Sequence, residues 1–240
     1  MNLLRVFRFL LSDLGRPVAP APHHPEPLTW SDEEITVAWL GHATVLINFF
    51  GLTILTDPVF FNRVGLRFGP LTIGPKRYIG CALAPRELPP IDLVLLSHAH
   101  MDHLDLRSLS RIRRSPLVVT ASHTADIIAR LRFNHVHELD WNEAHIFPAP
   151  RAGGEVTLAA FKLRHWGARM RSDDHRRYNA YLIERNGYRL CFAGDTAHID
   201  ASPLASRGPI DLFIVPIGAY NPWVNSHCSP EEAVAMADQA

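Results

Sequence analysis

Six residues near the middle of the chain, His98-Ala99-His100-Met101-Asp102-His103, constrain the fold more than any other stretch. They offer three imidazoles and a carboxylate directly after the apolar run Ile91-Asp92-Leu93-Val94-Leu95-Leu96-Ser97. That run is short, rich in leucine and valine and preceded by Pro89-Pro90, which predicts a buried strand. A strand that ends in nitrogen and oxygen donors presents them at a sheet edge. Burying so many polar groups without partners is costly, so a metal site is the natural reading. Imidazole suits zinc, iron, copper or nickel, and a carboxylate draws the choice towards harder ions. Extended backbone alternates its side chains, placing His98, His100 and Asp102 on one side and turning His103 away. Four donors in so short a loop do not converge easily on one tetrahedral ion. Two ions, each taking part of the cluster, is the more natural geometry.

The 240 residues, 47% of them hydrophobic, suit one α/β domain or a large part of one. The formal net charge of +0 gives no basic field, and no nucleic-acid partner is expected. Cys81, Cys191 and Cys228 lie scattered without C-x-x-C spacing, which argues for a reducing, cytoplasmic setting and against a thiolate zinc site. Residues 1–16 gather Leu3, Leu4, Phe7, Leu10, Leu11 and Leu14 on one helical face, with Arg5, Arg8, Ser12 and Arg16 opposite. This predicts a short amphipathic helix, lying either on a membrane surface or against the domain itself. Residues 17–27, with five prolines, read as a stiff linker. The expected organisation is therefore a helix and linker over 1–30 and a catalytic-type domain over 31–240, with homo-oligomerisation left open.

Strands are expected at 35–40, 45–50 and 52–56, then a long loop over 57–90. After the donor-rich loop, a helix is expected at 106–113, a strand at 117–120, a helix at 124–131 and a strand at 137–139. Further strands are expected at 156–163, 180–184, 190–193 and 212–216. Pro230-Glu231-Glu232 opens a closing helix with Ser229 as its cap. Two β-rich halves, each with helices, predict a four-layer αββα sandwich. Three later donors stand at expected strand or helix ends: His165 before Trp166-Gly167, Asp195 after Gly194, and His227 before the closing helix. Asp57 and Asp105 are candidates for orienting ligand imidazoles; His42 could do likewise, although a structural role in the Gly41-His42-Ala43 turn is the stronger reading.

The order of H-x-H-x-D-H, a strand-end His and Gly194-Asp195-Thr196 resembles the metallo-β-lactamase superfamily of binuclear metallohydrolases. Trp39-Leu40-Gly41-His42-Ala43-Thr44, Thr56-Asp57-Pro58, Gly74-Pro75-Lys76-Arg77 and Pro216-Ile217-Gly218-Ala219-Tyr220 narrow the resemblance. They are similar to segments of the N-acylphosphatidylethanolamine-hydrolysing phospholipase D group. The resemblance implies two zinc ions, with His98, His100 and His165 on the first, Asp102 and His103 on the second, and Asp195 bridging. It places His227 near the scissile group and Met101 in the substrate pocket, where some relatives carry an aromatic residue. It also implies a further strand and a last metal-ligating His beyond the closing helix, so the chain reads first as a fragment; the alternatives are an under-ligated second ion or His227 as the substitute ligand. Such a site would hydrolyse a phosphodiester with water acidified by two ions, without a protein nucleophile. The expected activity is that of a zinc-dependent phosphodiesterase on a phospholipid, peripheral at the membrane. A soluble lactonase or phosphoesterase, and a non-catalytic protein with an incomplete site, are the alternatives.

Overall fold

Sheet strands form where apolar residues alternate or run together between turn residues. The chain begins with β1 (Ile35–Gly41), β2 (Thr44–Phe49), β3 (Leu52–Thr56), β4 (Leu66–Phe68) and β5 (Leu71–Ile73). There follow β6 (Leu93–Leu96), helix α1 (Leu106–Leu109), β7 (Leu117–Ala121), helix α2 (Ala125–Ile128), β8 (His135–Leu139) and β9 (Ala144–Pro148). The second half holds β10 (Glu155–Phe161), β11 (Ala180–Arg185), β12 (Tyr188–Phe192), β13 (Leu212–Ile214) and helix α3 (Pro230–Gln239). This computed structural model describes residues 15–69, 71–170, 172–218, 220, 223 and 225–240. The amphipathic helix expected over 1–16 lies, but for its last two positions, outside the described residues.

One sheet runs β1-β2-β3-β6-β7-β8 and the other β13-β12-β11-β10-β9. In the first, Ile47, Ile54, Leu93, Leu95 and Val119 face inward. They pack against Leu158, Tyr181, Ile183, Leu190 and Phe192 of the second sheet. Their neighbours Leu46, Leu55, Val94, Leu96 and Val118 face outward and meet Leu109, Ile112 and Ile128 of the helical layer. On the far side, Ala159, Leu182 and Cys191 pack under Leu204, Ala233 and Met236. Each such large side chain, fully buried, stabilises the fold by about 1.5–3 kcal/mol. The two-sheet sandwich between helical layers is the expected αββα architecture.

Several boundaries differ from expectation for identifiable reasons. The helix expected over 106–113 closes after one turn, where the Arg114 guanidinium donates to the carbonyls of Leu109 (3.2 Å) and Ile112 (3.0 Å). The segment 57–90 contains the β4–β5 hairpin, and β9 pairs antiparallel with β10 at the sheet edge. The proline-rich segment is laid along the domain. Ala19 N–H donates to the Tyr78 carbonyl (2.9 Å), Gly80 N–H donates to that of Ala19 (2.8 Å), and Ala21 and Trp30 pack on the outer core. Among the described residues no helix is long and apolar enough to cross a membrane.

Candidate metal centre

Parallel pairing of β3 with β6 brings the residues that follow both strands to one edge of the sandwich. Asp57 and Ser97 meet there. The buried Asp57 carboxylate accepts from Ser97 N–H (2.7 Å), from the Ser97 hydroxyl and from His103 Nδ1–H (2.7 Å). Ser97 has one hydroxyl proton and gives it to Asp57, so towards His98 it can only accept, from Nδ1–H at 2.9 Å. His165 Nδ1–H donates to the Ser226 carbonyl at 3.1 Å. All three rings are thereby held in the tautomer that leaves Nε2 as a lone-pair donor, the arrangement a metal-ligating imidazole needs.

Those free nitrogens converge. His98 Nε2 lies 2.8 Å from His100 Nδ1. Asp195 Oδ2 stands 3.1 Å from His103 Nε2, 3.8 Å from His165 Nε2 and 3.4 Å from His227 Nδ1. Yet His103 Nε2 and His165 Nε2 are buried with no hydrogen-bond partner. Two ligands of a tetrahedral zinc with bonds of about 2.0–2.1 Å stand roughly 3.3 Å apart, so the spacing is that of donors sharing a cation. Among the described residues three groups have donor atoms within 4.8 Å of one another: His98, His100 and His165; His42, Asp102 and His103; and Asp57, His98 and His103.

Asp195 reaches this point because Gly194 adopts φ +60° against the end of β6, where a Cβ would stand 2.6 Å from Ser97 Cβ. The loop itself is clamped by Arg169, which donates to the carbonyls of Ala99 (2.9 Å) and Leu104 (2.8 Å). Trp166 packs edge-on to the His100 ring, centroids 4.8 Å apart.

Electrostatics sort the donors by charge. Burial, together with the charge of His103, pushes His98 well below the ordinary histidine range. Burial also lowers His100, and takes His165 down to about 4. Burial opposes ionisation of Asp195, but the charges of His103, His165 and His227 more than offset it and hold the carboxyl low. For Asp102 burial is likewise outweighed, by His42 and His103. His103 moves the other way: burial disfavours its charge, and Asp195 and Asp57 raise it well above the usual value. Neutral imidazoles at His98, His100 and His165, beside the ionised carboxylates of Asp102 and Asp195 and a His103 whose proton a cation would displace, form a donor set suited to divalent cations.

The structure thus gathers His98, His100, Asp102, His103, His165, Asp195 and His227 at one edge, with Met101 half-buried in the same loop. Asp57 orients His103 as anticipated. Asp105 does not orient a ligand; it caps α1, accepting from Arg107 N–H and Ser108 N–H. His42 is more than a turn residue, since its Nε2 lies 3.1 Å from Asp102 Oδ2. Arg169 carried no pattern of its own in the sequence.

Residues 53–240 match the model of the beta-lactamase superfamily domain, and the chain belongs to that superfamily. An N-acyl-phosphatidylethanolamine-hydrolyzing phospholipase D of Caenorhabditis elegans is 33% identical over 221 residues, covering 86% of this chain and 61% of that protein. An uncharacterized protein of Mycobacterium tuberculosis is 32% identical over 228 residues, covering 92% of this chain and 59% of its own length. The chain therefore spans about three fifths of these relatives. Among solved structures, an isothiocyanate hydrolase from Delia radicum gut bacteria superposes with TM-score 0.64 at 16% identity, over 85% of this chain and 81% of that one. A diiron beta-hydroxylase from Streptomyces venezuelae superposes with TM-score 0.57 at 24% identity, over 85% of this chain and 43% of that one. At such identities the likeness speaks for the metallo-β-lactamase fold alone, and both neighbours carry different chemistry on it.

Proposed function

We propose that the protein is a zinc-dependent phosphodiesterase that hydrolyses a phospholipid such as an N-acyl phosphatidylethanolamine. In this reading His98, His100 and His165 hold one zinc, Asp102 and His103 the other, and Asp195 both. The orphaned Nε2 atoms of His103 and His165 support the ligand assignment. The ions would supply an acidified water and positive charge for the phosphoryl oxygens. Asp57 and Ser97 keep the imidazoles in register, His227 stands where a scissile group or its departing proton would be met, and Met101 borders the headgroup.

The observation that carries the lipid reading is a cavity of about 370 Å³ opening beside the donor cluster. His42 and Asp102 form one side, and Trp39, Val64, Tyr78 and Ile79 line much of the rest. Trp39 and Tyr78 are 60% and 70% exposed, which suits amphipathic rings at a lipid interface better than a core. The relative from C. elegans named for the same reaction adds support.

The test is direct. The full chain with zinc is incubated with vesicles containing N-acyl phosphatidylethanolamine, and products are read by mass spectrometry. Water should enter at phosphorus and release phosphatidic acid and an N-acylethanolamine; His100→Ala should abolish this. Hydrolysis of a soluble lactone or phosphoester with no turnover of vesicles would overturn the lipid assignment. Vesicle co-sedimentation with and without residues 1–16 reads the contribution of the amphipathic segment.

A further inference from the structure

Resting on the phospholipid reading above, we infer that the β4–β5 ribbon is the element through which the protein enters an anionic bilayer, holding the cavity mouth at the lipid surface. The ribbon pairs with neither large sheet. Its register sets Leu66 opposite Ile73 and Arg67 opposite Thr72, with Leu71 two residues before Ile73. Residues paired across a ribbon share a face, as do residues two apart along a strand. Leu66, Leu71 and Ile73 therefore lie on one face, and Arg67 and Thr72 on the other. The apolar face is not packed on the core: its three side chains are 44%, 60% and 43% exposed. A two-stranded ribbon standing alone is marginal in water, and an apolar face of this kind calls for a cover.

Charge identifies the cover. Residues 58–86 hold five cations, Arg63, Arg67, Lys76, Arg77 and Arg86, and no Asp or Glu, in a chain whose formal net charge is +0. Arg67 is exposed and donates to the Gly69 carbonyl (2.9 Å) at the tip of its own ribbon. An apolar face with cations behind it and at its base suits the boundary of an anionic bilayer: acyl chains cover the face, and lipid phosphates meet the cations. Arginine stems are long enough to reach headgroups while the ribbon lies at the acyl boundary. The base ties this contact to the cavity. Val64 N–H donates to the Pro75 carbonyl (3.1 Å), and Arg77 N–H to that of Asn62 (2.8 Å). Val64, Pro75 and Lys76 are also part of the cavity wall, and Tyr78 and Ile79 continue it. Between base and tip, Gly65 and Gly74 cross closely: a Cβ on Gly65 would stand 2.2 Å from the Ile73 carbonyl oxygen, and one on Gly74 2.0 Å from that of Val64. Backbone contact thus sets the tip on the base, and a bilayer held by the ribbon lies beside the opening that a lipid would use.

The test uses the full chain with zinc, vesicles of phosphatidylcholine with or without phosphatidylglycerol, and a soluble diester, bis(p-nitrophenyl) phosphate. The wild type should bind the phosphatidylglycerol vesicles more tightly. Leu71→Glu/Ile73→Glu should bind them at least about tenfold more weakly, with turnover of the soluble diester unchanged. Arg67→Glu should weaken binding to the phosphatidylglycerol vesicles about fivefold and leave binding to phosphatidylcholine alone as it was. Leu71→Trp should add a fluorescence, read as the difference from the wild type, that lipids brominated on the acyl chain quench. Wild-type vesicle binding in the double variant, or no quenching at position 71, would overturn the inference. So would a change of oligomeric state in the double variant without lipid and with vesicle binding unchanged, which would assign the face to a second copy of the chain. If the double variant also loses soluble turnover, its fold is at fault and the quenching at position 71 decides. A wild type that hydrolyses neither the vesicle lipid nor the soluble diester sinks the phosphodiesterase reading alone, since binding and quenching need no turnover.

Discussion

Asp57 touches no ion in this scheme, yet the proton arrangement of both halves of the site hangs on it. Its Oδ1 accepts from the Ser97 backbone, and its Oδ2 receives two protons, from His103 Nδ1 and from the Ser97 hydroxyl. In Asp57→Asn the amide nitrogen cannot face the immovable Ser97 N–H, so it must take the Oδ2 position. There it offers two protons where the carboxylate accepted two. His103 must then accept at Nδ1 and carry its proton on Nε2. Ser97, now receiving a proton from the amide, donates its own to His98 Nδ1, which moves the His98 proton to Nε2 as well. One nearly isosteric change thus blocks a ligand atom in each ion's set. Loss of an outer partner of a ligating imidazole costs about 10–100-fold in metal affinity, roughly 1.4–2.8 kcal/mol, and here the loss falls on both ions. Zinc competition against a chromophoric chelator measures the affinities, and ¹⁵N spectra of the imidazoles report the tautomers. Ser97→Ala should break only the arm to His98 and weaken one ion. Unchanged affinity for both ions in Asp57→Asn would refute the relay.

Three further outcomes follow from the same geometry. Gly194→Ala places a Cβ 2.6 Å from Ser97 Cβ in a left-handed backbone, and should destabilise the fold by about 2–5 kcal/mol, read as a fall in thermal midpoint. Arg169→Met leaves the buried carbonyls of Ala99 and Leu104 without their donor. It should cost about 2–4 kcal/mol and raise hydrogen exchange selectively in residues 98–104. His165, depressed to about 4 by burial, contributes a pH dependence of known sign. Below about pH 6.5 the unfolded chain binds a proton that the folded ring refuses until about pH 4, so stability is lost across that window as pH falls. In chelator, urea unfolding of the wild type should lose about 2 kcal/mol more than that of His165→Gln between about pH 7.5 and about pH 5.

The donor-rich loop was legible because its signal is local, an apolar run and then four donors in six residues, but strand alternation misplaced His103. The strand ends at Leu96, residues 101–103 turn so that His103 N–H donates to the His100 carbonyl (3.1 Å), and the His103 ring lies 4.2 Å from that of His98 instead of turning away. His165, Asp195 and His227 were legible for a related reason, since each lies within four residues of a strand end or a helix start that could be read. The αββα layering followed from strands such as β2 and β3, whose residues are buried on both faces and so require cover on both. What escaped reading depends on contacts between distant segments. Nothing within 144–148 marks β9 as a strand, because it is largely exposed and exists by pairing with β10. Arg169 looks like any loop arginine until the fold brings it beneath residues 99–104, about 65–70 positions earlier in the chain. His42 is the instructive case. A histidine between two glycine-sized turn residues resembles a turn former, and only the slip in the β1–β2 register turns its ring towards Asp102, 60 residues away. A metal centre at a sheet edge gathers donors from several loops, so the part carried by one loop is visible in sequence and the rest is brought in by the pairing of distant strands.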